Sequence, residues 1–109
     1  MEFQFVKIAV FVPVSHAETM REVLAKNGCG HIGNYDSCSF SIKGVGRFRP
    51  LEGAAPFVGE AGKIEEVEEE RIETICPRGR LDEVMAAIKK AHPYDEPAVD
   101  VYPLFDELM

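Results

Sequence analysis

Apolar and polar residues recur along the chain in patterns that predict four strands. Residues 3–12, FQFVKIAVFV, are almost continuously apolar, which is typical of a central strand buried on both faces. Pro13 ends this strand because proline cannot donate to a strand ladder. Residues 37–43 alternate cleanly and predict a half-buried strand. Residues 63–76 mix two periods, but their β-branched residues favour a strand with a solvent-facing row of glutamates, and residues 98–104 predict a short last strand.

Two further segments carry apolar residues at helical spacing. The first helix is predicted to start at Ser15, because the sequence SHAE at 15–18 resembles a capping box. It is predicted to end at Asn27-Gly28, since glycine accepts the left-handed conformation there. The second helix follows the apolar stripe of residues 81–91 and is stopped by Pro93. The residues after Phe105 are expected to form a frayed tail.

The two halves of the chain echo each other. A shift of 64 positions places Ile8 on Ile72 and Pro13 on Pro77, so each half runs strand, proline, helix, strand. Two such units predict one domain over residues 1–109 of class α+β, the ferredoxin-like β-α-β-β-α-β sandwich. This fold has a four-stranded antiparallel sheet with two helices on one face, here with a long loop or hairpin insertion. The other face needs a cover, and a second subunit is the usual one.

The insertion is the segment 30–59, which holds six of the chain's nine glycines. Besides the strand at 37–43, its sequence predicts a turn at Gly44-Val45-Gly46, a returning hairpin arm at 47–49 and an irregular stretch at 50–59. A connection of this length, rich in glycine and aromatic residues, is typical of segments that cover a ligand or bind a partner. We therefore expect the functional site here.

Composition narrows the classes of partner. The net charge of -7 argues against nucleic acid and against an anionic membrane surface, because both are bound through Lys and Arg. No apolar run approaches the roughly 20 residues of a membrane span, and the N-terminal run lacks the basic start and cleavage site of a signal peptide. Three cysteines without a C-x-x-C pair favour reduced thiols and a cytoplasmic location.

Histidines and cysteines supply one hypothesis, a metal site. It would use His31, Cys38 and His92, with Cys29 as a further ligand, and a divalent metal ion as cofactor. The two histidines follow the ends of the two predicted helices and so are expected to face one another. The structural alternative is favoured, because no pair has zinc-ligand spacing: the cysteines would be core residues and the histidines would bond to the backbone.

A second hypothesis is a pocket for an anion or small molecule, formed by Arg47, Arg49 and the glycine-rich backbone. The structural alternative, in which Arg49 pairs with Glu52 or another acid, is favoured. No G-x-x-x-x-G-K-[ST] motif is present, which excludes a P-loop.

Three further hypotheses concern the run at 92–97, the pair Leu51 and Phe57, and Cys38. The run HPYDEP at 92–97 offers His92 as a general base beside carboxylates, although a helix stop followed by a turn is the favoured interpretation. Leu51 and Phe57 form either an arm that inserts into a partner or a fold-back onto their own core. Cys38 is the weakest candidate as a nucleophile, since it is expected on an apolar strand face.

Three motifs stand together in the chain: GHIGNY at 30–35 with CSF at 38–40, FRPLEG at 48–53 with Pro56-Phe57 and Gly59, and AHPYDEP at 91–97. In order and spacing they resemble the YqfO type of the NGG-one-interacting-factor-three-like family, and specifically its inserted domain, which is similar to the trimeric CutA and PII proteins. The resemblance implies a CutA/PII-like fold and a homotrimer. In long family members the two-metal centre lies in flanking halves that this chain lacks, so the hydrolase-like activity is not expected to carry over.

The sequence therefore predicts a non-enzymatic homo-oligomeric module, trimeric by resemblance, that binds a small ligand or metal ion near residues 30–59. One alternative is an accessory or lid-like subunit for a larger, separately encoded metal-dependent enzyme of hydrolase type. Another is an oligomerisation scaffold with no ligand. The predicted ligand-binding residues are His31, Tyr35, Arg49, Glu52 and Tyr94, and His92 is a predicted metal ligand.

Overall fold

The computed structural model describes residues 3–105, and the tail predicted after Phe105 lies outside this range. The strands form one antiparallel sheet in the order β2-β3-β1-β4, so the predicted ferredoxin-like topology is confirmed. The elements in chain order are β1 (Phe5–Pro13), α1 (Val14–Lys26), β2 (Phe40–Phe48), β3 (Glu65–Pro77), a single 3-10 turn (Arg78–Arg80), α2 (Leu81–Ala91) and β4 (Val99–Leu104).

The core lies between the two helices and one face of the sheet. Strand β1 is central, and both Ala9 and Val10 are fully buried although their side chains point to opposite faces, which confirms the prediction from the continuous apolar run. Each large aliphatic side chain buried in this layer contributes about 1.5–3 kcal/mol relative to exposure. The fully buried ones are Ile8, Val10, Val12, Met20, Leu24, Ile72, Val84 and Ile88.

The start of α1 differs from the sequence prediction. The helix begins at Val14 directly after Pro13, and its N-cap has no side-chain hydrogen bond, so the capping box predicted at Ser15 is wrong. Ser15 already lies inside the first turn, and its hydroxyl bonds to Nδ1 of His16 at 2.8 Å instead. The helix end is as predicted: Gly28 takes a φ of +92°, and the turn closes with backbone bonds back into the last helical turn.

Strand β2 also differs, since it runs unbroken through the glycines that predicted a turn. Gly44 pairs with Glu69 and Gly46 with Val67 in the ladder to β3, and Arg47 continues the same strand. The turn at Gly44-Val45-Gly46 and the returning arm at 47–49 are therefore wrong. Gly46 serves a different purpose, because any Cβ there would overlap the carboxylate of Glu69.

The second face of the sheet carries no helix within residues 3–105. Phe11 lies beside Arg71, whose guanidinium carbon is 5.3 Å from the centre of the Phe11 ring. On the neighbouring strand, Phe40 and Ile42 share this face and are 64% and 50% exposed. The molecule is elongated, with extents of 46 × 27 × 22 Å. In the part of the chain that the structure describes, no helix is both long enough and apolar enough to cross a membrane.

Candidate ligand site

The helix-free face holds a cavity of about 860 Å³, which we call the loop cavity. One end of the β2–β3 pair forms its floor, and the irregular segment 49–57 and the turn after α2 close its sides. The volume lies within the roughly 300–1,000 Å³ that is usual for small-molecule sites. Side chains that define its chemistry are Phe48, Arg49, Glu52, Phe57, Glu69 and Tyr94.

The turn after α2 is fixed to the sheet by His92. This side chain is buried, its Nε2 lies 2.7 Å from the carbonyl oxygen of Phe11, and its Nδ1 accepts the N–H of Tyr94 at 3.1 Å. Because Nδ1 accepts, Nε2 carries the proton and donates to Phe11. Burial lowers the pKa of His92, and the bond to the Phe11 carbonyl only partly opposes this. His92 is therefore a neutral anchor at pH 7.

Tyr94 connects three parts of the site. Its hydroxyl donates to Oε2 of Glu69 on β3 at 2.7 Å, and its ring lies 5.8 Å from that of Phe48 and 6.4 Å from that of Phe57. Burial raises the pKa of Tyr94, and the bond to Glu69 raises it further, so the phenol keeps its proton. The next residue, Asp95, accepts the backbone N–H of Ala55 at 3.1 Å and so attaches the 49–57 segment to the same turn.

Arg49 is an unengaged cation at the cavity. Within residues 3–105 it forms no ion pair and no side-chain hydrogen bond, either with Glu52 or with any other acid. Arg47 lies 3.9 Å from Glu66, and both of these side chains are exposed, so this pair contributes little. A free guanidinium beside a cavity is suited to bidentate recognition of a carboxylate or phosphate.

The structure brings together three of the five predicted ligand-binding residues, Arg49, Glu52 and Tyr94. His31 and Tyr35 lie in a loop at the far end of β2. The N–H of Gly30 donates to the carbonyl oxygen of Ile75 at 2.7 Å and so attaches that loop to β3. Strand β2 separates the two ends by about 26 Å at the usual rise per residue. One chain therefore does not place His31 and Tyr35 at the loop cavity.

The predicted metal ligands do not meet in a single chain. No group of three or more His, Cys, Asp or Glu side chains with metal-binding geometry occurs among residues 3–105. Both nitrogens of His92 are engaged, and Cys38 makes only a long contact of 3.8 Å to the carbonyl oxygen of Asp36. Burial raises the pKa of the Cys29 thiol to about 12. The metal site stays a prediction, with His31 as its one exposed imidazole.

Glu69 is a site residue that the sequence analysis missed. The glutamate run of β3 was assigned to solvent, yet Glu69 and Glu70 are only 8% and 7% exposed. Two consecutive strand residues point to opposite faces, so they cannot both lie on one solvent face. That alternation is a sequence signal against one solvent-facing row, whereas the place of Glu69 beside Gly46 depends on the pairing of β2 with β3.

The fold is that of CutA. The structure of the periplasmic divalent cation tolerance protein CutA from Archaeoglobus fulgidus matches 95% of this chain and 90% of its own length, with a TM-score of 0.68 and 19% identity. CutA1 from Pyrococcus horikoshii matches 93% of this chain and 84% of its own, with a TM-score of 0.67 and 21% identity. At these identities the likeness shows the architecture alone, and this confirms the predicted fold class.

A nearer group of relatives gives the family. The structure of a Bacillus cereus protein related to NIF3, the NGG-one-interacting factor three, matches 95% of this chain at 49% identity and a TM-score of 0.82. The GTP cyclohydrolase 1 type 2 homolog of Halalkalibacterium halodurans is 52% identical over 101 residues, 93% of this chain. The chain spans about a quarter of each, 26% and 27%. No protein-family model matches the chain. The chain is a relative of one segment of these NIF3-related proteins, and the resemblance carried by its three motifs is confirmed.

Proposed function

We propose that this chain is a non-enzymatic, homo-oligomeric CutA-like module that binds a small anionic ligand in the loop cavity. The observation that carries the proposal is the guanidinium of Arg49, unpaired among residues 3–105, at a cavity of about 860 Å³. Glu52 and Tyr94 lie at the same cavity and supply hydrogen-bonding groups. A carboxylate or phosphate on the ligand would occupy the two parallel N–H groups of Arg49.

We propose a non-enzymatic role because His92, the candidate general base, uses both ring nitrogens to hold the fold together. A general base must be able to take up a proton, and His92 is buried, neutral and bonded through both nitrogens. The name of the relatives refers to GTP cyclohydrolase, but this chain corresponds to only about a quarter of their length. We therefore assign the present chain a binding role.

Exposed apolar side chains support the oligomer. Phe40 and Ile42 on the helix-free face are 64% and 50% exposed, and a second subunit is the usual cover for such a face. The CutA-like fold and the family resemblance favour three copies. In a closed ring each interface is heterologous, so the loop with His31 and Tyr35 would meet a different surface of the next copy.

A thermal-shift screen of small carboxylates and phosphates tests the binding role. A ligand at 100 times its dissociation constant raises the stability of the folded protein by about 2.7 kcal/mol. We expect stabilising compounds to lose at least about tenfold in affinity in Arg49→Ala, because the charged fork is removed. Arg78→Ala, an exposed arginine outside the cavity, is the matched control and should bind normally. A screen without a stabilising acid, or equal binding by the Arg49 variant, contradicts the proposal.

The metal version of the proposal has its own test. His31 is exposed and has no side-chain partner in residues 3–105, so in a ring it would be free to bind a divalent ion with a neighbouring copy. Elemental analysis of the purified protein should then show metal that His31→Ala loses. Metal-free protein, or metal retained by the variant, removes this version. The free thiols favour the cytoplasm as the compartment.

An accessory role is the second candidate, because the matching segment is part of a longer chain in its relatives. In this role the module would associate with a larger protein that corresponds to the other three quarters of the relatives' length. Mild affinity purification of the tagged chain should then recover one such partner in a fixed ratio. Recovery of the homo-oligomer alone would contradict the accessory role.

A further inference from the structure

Two consecutive buried glutamates of β3 have very different surroundings. Glu70, 7% exposed, lies on the helix face, and its carboxylate is 2.6 Å from the guanidinium of Arg21. Glu69, 8% exposed, lies at the loop cavity and has no ion pair among residues 3–105. A buried carboxylate without a cation is costly, since water no longer solvates it fully. Among residues 3–105, Glu70 therefore has a cationic partner and Glu69 has none.

Nearby cations do not compensate Glu69. Arg71 is two residues further along the same strand and on the same face, but its Nε is 2.9 Å from Glu73 and its guanidinium lies over the Phe11 ring. The hydroxyl of Tyr94 is the one hydrogen-bond donor to Glu69 in the described part of the chain, and it bonds to Oε2. Oε1 faces Gly46, where a Cβ would overlap it. Among residues 3–105 no group donates a hydrogen bond to Oε1, which keeps some contact with solvent.

Aromatic rings stand beside this carboxylate. Tyr94, Phe48 and Phe57 line the same cavity, with ring centres 5.8 and 6.4 Å from that of Tyr94. Ring faces attract ammonium groups that lie within about 6 Å of the ring centre. Rings next to a buried carboxylate are the combination that recognises a protonated amine.

We propose that the Glu69 end of the loop cavity is a subsite for a protonated organic amine, held by the carboxylate of Glu69 and by the rings of Tyr94, Phe48 and Phe57. The inference rests on the proposed function, since it concerns the same cavity. It deepens that function by defining the ligand class: a molecule with an ammonium group at Glu69 and, at its other end, an acidic group for Arg49.

A matched pair of probes tests the subsite. Phenethylamine and phenethyl alcohol share a ring and a chain length, but only the amine is charged at pH 7. Calorimetric titration should show the amine binding about tenfold more tightly than the alcohol, because the alcohol has neither the ammonium–carboxylate contact nor the ammonium–ring contact. In Glu69→Gln, which keeps the size of the side chain, the ratio should fall to about one. Glu68→Gln is the control, because Glu68 is exposed on the same strand, and it should keep the tenfold ratio.

Equal binding of the two probes, an unchanged ratio in Glu69→Gln, or no binding of either probe would overturn the inference. The wild-type ratio does not depend on any variant folding, and the amide shift of Gly46 in an NMR titration with phenethylamine is a second readout. If acids bind through Arg49 while the amine shows no preference, only the ammonium subsite is wrong. If neither acids nor amines bind, the proposed function is wrong as well.

Discussion

Removal of the Tyr94 hydroxyl tests how the site is held together. In Tyr94→Phe the carboxylate of Glu69 loses its one donor, a bond of 2.7 Å in a part-buried place. A hydrogen bond to a charged group contributes about 1.5–3 kcal/mol to stability, net of the water contacts that its partners give up. We expect the free energy of unfolding to fall by about 1.5–3 kcal/mol. For a domain of about 100 residues this lowers Tm by at least about 6 °C.

Urea unfolding followed by circular dichroism measures this change, with all variants at one protein concentration because an oligomer's stability depends on it. Tyr35→Phe is the control: Tyr35 is 74% exposed, and its hydroxyl has no partner among residues 3–105, so its effect should stay within about 0.5 kcal/mol. The double variant Tyr94→Phe with Glu69→Gln should be less destabilised than the sum of the two single variants, because both remove the same bond. Equal, near-zero effects of Tyr94→Phe and Tyr35→Phe would refute this account of the site.

Three further predictions use other features of the fold. Gly46→Ala should cost about 1–3 kcal/mol, because its methyl overlaps the Glu69 carboxylate, while Gly44→Ala, with nothing within 4 Å, should cost far less; urea titration compares them. Burial lowers the pKa of His92 in the folded state, so on acidification the unfolded chain takes up a proton on this histidine at a higher pH than the folded chain does. Unfolding free energy should therefore fall as pH drops below about 6.5, and the fall should be smaller in His92→Gln. Cys38 alone should react quickly with a thiol reagent in the native state, because the other two thiols are buried and their pKa values are raised; three fast thiols would contradict this.

The scaffold was predictable because its signals are local. A continuous apolar run predicts a strand buried on both faces, and β1 is that strand. Helix α2 lies at Leu81–Ala91, where the apolar stripe and Pro93 placed it. The repeated order of elements in the two halves then leaves few topologies, and the antiparallel sheet with two helices is the one observed.

The two errors in the scaffold have different causes. Glycines at 44 and 46 predict a turn on local grounds, but a carboxylate from the adjacent strand occupies the space where Gly46 would carry a side chain, and this contact cannot be read from a window of a few residues. Ser15 has the spacing of a capping box, yet the helix begins at Val14 directly after Pro13, so Ser15 lies inside the first turn.

The candidate site was predictable in part. Arg49 and Tyr94 were singled out for their chemistry, and the structure places both at one cavity. Glu69 was not predicted because it stands in a run of glutamates, and which of them is buried depends on how β3 pairs with β2. The distance of His31 from this cavity follows from the length of β2, which the predicted turn had shortened.

Binding of a ligand in the loop cavity, with an acid at Arg49 and an ammonium group at Glu69, is tested most directly by NMR. The isotope-labelled chain is titrated with a small library of organic acids, amines and compounds that carry both groups. Compounds with both groups should bind most tightly, and the amide shifts should cluster around Arg49, Tyr94 and Gly46. Shifts confined to the opposite, helix-covered face of the sheet, or no shifts with any compound at millimolar concentration, would contradict it.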